Sequence, residues 1–517
     1  MQDMGNQSRV NDRQMNGKCS LFKIVLKRSG WCIINQILIT ADKNPSLKKY
    51  LPMAVQITDY PSAIRTKFRE LFKQAPLIIR SPGRINLIGE HTDYNMGFVM
   101  PAAIDKAIYL GIQKREDNVI HLHALDYDDG HIATTDEITR SGKLWPDYLL
   151  GVVEQIRIHR MDKMDGGEGN KIHRMDRIHK MQGGKDATGN TTQEKQQIGD
   201  ITTGFNVVFG GDIPPGAGLS SSAALECATA YALNELFGLG LEKIDMVKIS
   251  QAAENEFVGM KCGIMDQFAS MFGKKDHLIR LDCRSLEYEY IPFQLEGVTV
   301  VLFDTRVKHS LASSAYNKRR EECEEGVRLV NKGWDELGGI RDEIRGGKSE
   351  VGSQRSEVGR GKSEAGRIGS GVKSLREVTE DMLLEYVKPV NEIVYKRCTF
   401  IVAEIQRLLA GCKDLENNDV ASFGKKMFET HEGLSKLYEV SCKELDILVD
   451  IVRDDPNVLG ARMMGGGFGG CTINLIKNEA VEDLIAKVLE VYKKETGVDM
   501  LVYKVGVEDG TAKIVGG

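Results

Sequence analysis

Apolar residues along the chain fall into two spacings. Runs such as FNVVFGGDIP (205–214) and VTVVLFDT (298–305) are short, rich in β-branched and aromatic residues and nearly continuous, and they predict buried strands. Other stretches repeat their apolar positions every three to four residues: SAALECATAYALNELFGLG (222–240), MLLEYVKPVNEIVYKRCTFIVAEIQRLLA (382–410) and AVEDLIAKVLEVYKKETG (480–497). These predict helices, the last closed by Gly497 and the second broken or kinked at Pro389. Strands and helices follow no regular βαβ alternation, so the expected class is α+β.

Three regions carry neither spacing. Residues 1–52 are polar and irregular around one apolar patch, and Met53 opens a stretch that resembles an ordinary protein start. Residues 157–200 hold RIHRMDKM, then KIHRMDRIHKM and a Gly/Thr/Gln-rich run; residues 339–373 repeat KSEVG, RSEVG and KSEAG at a seven-residue step without apolar a/d pairs. An N-terminal extension and two solvated, flexible inserts are expected. His159, His173 and His179 in the first insert lack fixed acidic or cysteine partners and read as part of a basic loop. RGGKS and RGKS in the second miss the first glycine of a P-loop, which is Asp342 or Ser356.

A chain of 517 residues exceeds one compact core, so two domains are expected. A net charge of −5 offers no basic surface for nucleic acid or an anionic membrane. The 10 cysteines stand singly, as suits reduced thiols in the cytoplasm. The apolar segment 21–40 contains Lys23, Lys27 and Arg28, too broken for a membrane span or a signal peptide.

The candidate chemistry lies where polar residues interrupt the apolar pattern. In SPGRINLIGEHTDYN (81–95), Arg84 sits inside an apolar run that ends in Glu90-His91-Thr92-Asp93. In PPGAGLSSSAAL (214–225), glycines lead into three serines at a helix start. Free N–H groups and the helix dipole favour an anion there, and serine hydroxyls can bind phosphate or Mg²⁺; a simply capped core helix fits equally well. In AENEFVGMKCGIMDQFASMFG (253–273), Asp266 lies among apolar residues and needs a partner, either a substrate hydroxyl or a cation such as Arg84. GGGFGGC (465–471) satisfies GxGxxG but precedes a β-like run, so it fails the dinucleotide-site context and marks a tight turn.

In this order, SPGRINLIGEHTDYNMGFVMP, PPGAGLSSSAAL, GMKCGIMDQFAS and MGGGFGGC resemble the GHMP family of small-molecule kinases, the first being similar to the galactokinase signature. The likeness spans most of residues 55–505 outside the inserts. It implies an S5-like N-terminal domain (53–295), a ferredoxin-like C-terminal domain (296–517) and an active site in the cleft between them. It also implies ATP-dependent phosphorylation of the anomeric hydroxyl of galactose, with Mg²⁺; a cytoplasmic monomer is expected, with no protein partner implied. Carried over by position, Glu90, His91, Thr92, Asp93 and Tyr316 hold the sugar, and Gly216, Ala217, Gly218, Leu219, Ser220, Ser221 and Ser222 bind ATP. Ser222 and Glu254 would bind the metal, Asp266 would be the base and Arg84 the transition-state stabiliser. Kinases of the same family acting on N-acetylgalactosamine, galacturonate or arabinose, and a catalytically weak galactose sensor, are the alternatives.

Overall fold

The computed structural model describes residues 57–164, 201–293, 296–308, 312–345 and 371–515, so the extension (1–52) and most of both inserts lie outside the described residues. The first half of the chain forms α1 (Tyr60–Phe72), β1 (Leu77–Asn86), β2 (Phe98–Val99), β3 (Pro101–Lys114), β4 (Val119–Ala124), β5 (Asp129–Thr134), α2 (Leu144–Met164) and β6 (Phe205–Gly211). There follow α3 (Ser221–Phe237), α4 (Lys243–Ala252), α5 (Met265–Phe272), β7 (His277–Asp282) and β8 (Tyr288–Pro292). A 6-stranded sheet has the order β13 (Ala512–Lys513, from the end of the chain), β1, β3, β6, β4, β5, with β4 and β6 parallel and its other neighbours antiparallel. Alternation along the strands sorts its two faces. Ile79 and Val207 join the main core with α2, α3 and α5, while Ile78 and Val208 turn the other way and pack on Ile64 and Phe68 of α1.

The second half forms β9 (Val298–Lys308), α6 (Ala312–Arg345), α7 (Glu392–Glu416), α8 (Val420–Lys436), α9 (Lys443–Arg453), β10 (Val458–Met463), β11 (Gly469–Lys477), α10 (Val481–Thr496), β12 (Leu501–Val505) and β13 (Ala512–Lys513). A 4-stranded antiparallel sheet runs β10-β11-β9-β12. Val301 and Phe303 face α9 and α10, whereas Val300 and Leu302 face the main core, so one sheet joins two apolar layers. The expected break at Pro389 is present: a helical turn ends at Val387, and Asn391 caps α7 by accepting from the Ile393 and Val394 amides at 3.1 Å.

Three expectations need amendment. The stretch RIHRMDKM is not insert but the last turns of α2, with Ile158 buried and Arg157 donating to the Thr135 carbonyl at 2.9 Å. Similarly, α6 continues through Arg345, beyond residue 339. In both places an already nucleated helix propagates beyond its apolar pattern, in α6 even through Gly338 and Gly339, because adding a residue to an existing helix costs far less than starting one. Finally, a division at 295/296 separates the two sheets except at the end of the chain. Ala512 and Lys513 pair with Arg80 and Ile79 at the edge of the first sheet, and the Thr511 amide donates to the Ser270 carbonyl at 2.8 Å.

Candidate active site

Both halves of the site hang on β1. Its register with β3 shifts between Pro82 and Arg84, and the Arg84 amide donates to the Leu219 carbonyl at 3.2 Å, which lashes the glycine-serine loop to the strand. The Arg84 side chain, 5% exposed, grips Asp266 of α5 through Nε–Oδ1 at 2.8 Å and Nη2–Oδ2 at 3.1 Å, and Nη1 donates to the Gly218 carbonyl. Ser220 Oγ donates to Asp266 Oδ2 at 2.6 Å. That hydroxyl does not cap α3, although Ser220 stands at the cap position with φ +57°. One carboxylate thus holds a guanidinium and a hydroxyl at the mouth of the loop.

One turn on, Ser222 Oγ donates to Glu254 Oε1 at 3.0 Å. Behind them Gln267 Nε2 bridges Glu254 Oε2 at 2.7 Å and Glu226 Oε2 at 3.1 Å. Burial, then the charge of Asp266, raises the Glu254 pKa; burial, then the charge of Glu254, lifts Glu226 far above the usual carboxylate range. Glu254 Oε2 is taken by Gln267 and by the Cys262 thiol at 3.3 Å, whereas Glu254 Oε1 and Ser222 Oγ form an oxygen pair of the kind a hard cation such as Mg²⁺ accepts.

The other half follows β1 directly. Gly89 at φ +90° and His91 at φ +64° turn the chain so that Glu90, His91 and Asp93 face the same cavity as Asp266. Glu90 is buried, accepting from Arg462 Nη2 at 3.0 Å and from the Gly465 amide at 2.8 Å. His91 Nδ1 lies 2.8 Å from the Tyr94 hydroxyl, and its ring packs against Tyr316 and Tyr438. Burial lowers the His91 pKa to about 4, and burial with the charges of Asp266 and Glu90 raises that of Asp93 to about 7. The glycine turn between β10 and β11 closes the far side. Gly467 has φ +83°, and a Cβ there would stand 2.2 Å from the Val440 carbonyl.

The cavity so formed has a volume of about 740 Å³. It collects Arg84, Glu90, His91, Asp93, Gly216, Gly218, Leu219, Ser220, Ser221, Ser222, Glu254, Asp266 and Tyr316. Thr92 and Ala217 are not in its lining. Thr92 Oγ1 is fully buried beside the Gly89 and Phe98 carbonyls, and the Ala217 side chain lies in the core. Sequence reasoning missed Arg462, Gln267, Glu226 and the Tyr94–Tyr438 pair. Arg462 was detectable, because an arginine inside VLGARMM before a glycine turn has the same signature as Arg84.

Residues 66–114 match the galactokinase galactose-binding signature, residues 187–274 the GHMP kinases N terminal domain, and residues 412–494 the GHMP kinases C terminal domain. Galactokinase of Thermotoga maritima is 36% identical over 438 residues, covering 84% of this chain and 99% of its own. The chain belongs to the galactokinase family. Galactokinase of Thermotoga petrophila is 37% identical over 438 residues, again with 84% of this chain and 99% of its own covered. The crystal structure of Lactococcus lactis galactokinase complexed with galactose superposes with a TM-score of 0.69 at 28% identity, covering 88% of this chain and 99% of that one. As a galactokinase family member the chain is an ATP-dependent sugar kinase, and its α+β layers are the two-domain GHMP kinase fold.

Proposed function

We propose that the chain transfers the γ-phosphoryl group of ATP to the anomeric hydroxyl of α-D-galactose, giving galactose 1-phosphate and ADP. The observation that carries this reading is the meeting, in one cavity, of the Arg84–Asp266–Ser220 cluster with Glu90, His91 and Asp93 of the galactose-binding signature. Asp266 accepts the proton of the attacking hydroxyl, and Arg84 holds that carboxylate while offsetting charge on the transferring group. The Gly216–Ser222 loop offers backbone amides and hydroxyls to the phosphates at the start of α3. Ser222 and Glu254 would hold Mg²⁺, which supplies charge neutralisation of the nucleotide phosphates when bound. Phosphoryl transfer asks mainly for positioning and electrostatics, and the chain's own groups supply both.

The reading extends to a cytoplasmic monomer. The cysteines among the described residues are free thiols, and a single chain provides every site residue named above. No helix among the described residues is long and apolar enough to cross a membrane. The test is ADP release over galactose, N-acetylgalactosamine, galacturonate and arabinose, with and without Mg²⁺. Galactose is expected to dominate, and turnover to require the metal. Preference for another sugar would reassign the substrate, and no galactose-dependent ADP would favour a sensor.

Asp93 makes binding pH-dependent. A pKa near 7 against an ordinary value of 3.8 means the free protein prefers it protonated, and this contribution to stability is lost as pH rises through about 7. Sugar hydroxyls donate to the ionised form, so galactose affinity in nucleotide-free titrations should rise with pH and level off above about 7. Asp93→Asn should flatten the profile; an unchanged pH dependence in that variant would remove Asp93 from the sugar site.

A further inference from the structure

Three buried side chains and the half-buried Tyr94, from three separate parts of the chain, form one hydrogen-bond line ending at His91. Cys323 Sγ of α6 lies 3.3 Å from Tyr438 Oη, Tyr438 Oη lies 2.7 Å from Tyr94 Oη, and Tyr94 Oη lies 2.8 Å from His91 Nδ1. Cys323, Tyr438 and His91 are 1%, 0% and 4% exposed. His91 Nε2 is buried without a formed hydrogen bond, and the ring lines the cavity. Burial, and the charges of Arg319 and Arg462, keep the imidazole neutral with a pKa of about 4, so it carries a single ring proton.

Two proton arrangements fit the line. In one, the ring donates from Nδ1 to Tyr94, Tyr94 to Tyr438, and the last phenol proton falls on a thiol sulfur. In the other, the thiol donates to Tyr438, Tyr438 to Tyr94, and Tyr94 to Nδ1. The first spends a phenol O–H on a weak acceptor; the second gives each phenol proton an oxygen or nitrogen and leaves only the weak S–H donor at the end of the line. The second also leaves the ring proton on Nε2, the buried nitrogen without a formed hydrogen bond on a ring that lines the cavity.

We infer that Tyr438 and Tyr94 are positioning residues that fix His91 as the Nε2–H tautomer, making it a hydrogen-bond donor towards a sugar oxygen. This deepens the galactokinase reading and rests on it for the identity of the sugar. The sugar must therefore present an acceptor at His91, whereas Glu90 and Asp93 in their ionised forms accept from its hydroxyls. A deoxy or fluoro sugar altered at the oxygen facing His91 would separate the two kinds of contact.

The test is ring-nitrogen NMR of protein labelled with ¹⁵N-histidine, with His91 assigned by its loss in His91→Gln. Nε2 should show the protonated, pyrrole-type shift and Nδ1 the pyridine-type shift, in protein free of sugar and nucleotide. Tyr94→Phe should mix the tautomers and raise the KM for galactose by roughly tenfold, with kcat less affected. Tyr438→Phe, which leaves Tyr94 able to donate to Nδ1, should raise KM by about two- to fivefold with the tautomer retained. A protonated Nδ1 in the wild type, or an unchanged tautomer in folded Tyr94→Phe, overturns the inference. The wild-type spectrum does not depend on turnover, so inactivity on galactose would count against the proposed function alone.

Discussion

Replacing Asp266 by asparagine is expected to lower kcat by about 10²–10⁴, the usual worth of a positioned general base, while the protein remains folded and binds ATP. Asparagine keeps the shape of the side chain, and its single carbonyl oxygen can still face the Arg84 fork. It cannot take the proton of the sugar hydroxyl. The cost to stability is smaller than for a fully buried pair. Asp266 is 24% exposed, and Arg84 retains the Gly218 carbonyl, so the loss should be about 1–3 kcal/mol. Steady-state kinetics, nucleotide titration and a thermal melt on the same preparation separate these effects. Near-normal kcat would leave Arg84–Asp266 as a structural ion pair that happens to line the cavity.

That pair was legible in the sequence because its members share one anomaly. Arg84 interrupts an apolar strand and Asp266 an apolar helix start, and a charge in such surroundings needs an opposite charge, even 182 residues away. The helix ends were legible where chemistry marks them, at Pro389 shortly before α7 and at Gly497 after α10. Adjacency within a motif was a poorer guide. In Glu90-His91-Thr92-Asp93 the tight turn sends Thr92 back into the core, and in the glycine-serine loop it does the same to Ala217, because neighbours in a turn cannot all face one cavity. The edge strand Ala512–Lys513 carries too few residues for any periodicity. Its place beside β1 follows from tertiary pairing alone.

Arg462→Met should bring the largest loss of stability of any single change considered, about 3–5 kcal/mol, the range for breaking a buried ion pair on one side. The guanidinium is fully buried and ends β10 by donating to the Asn86, Leu87 and Met463 carbonyls as well as to Glu90. Methionine fills much of the volume, yet it leaves the Asn86, Leu87 and Met463 carbonyls without this donor and Glu90 with the Gly465 amide as its remaining partner. Denaturant unfolding should therefore show a lower midpoint, and galactose should bind more weakly if Glu90, which lines the cavity within the galactose-binding signature, holds the sugar as proposed. The double variant Glu90→Gln/Arg462→Met separates charge from packing. If the pair is the main effect, removing the second charge recovers part of the lost stability and none of the galactose affinity. If instead the two losses simply add, the contribution of Arg462 lies in its carbonyl contacts. Either way the bond joins a strand of one sheet to the turn leaving β1 of the other. For that reason galactose should raise the melting temperature less in Arg462→Met than in the wild type, even at saturating sugar.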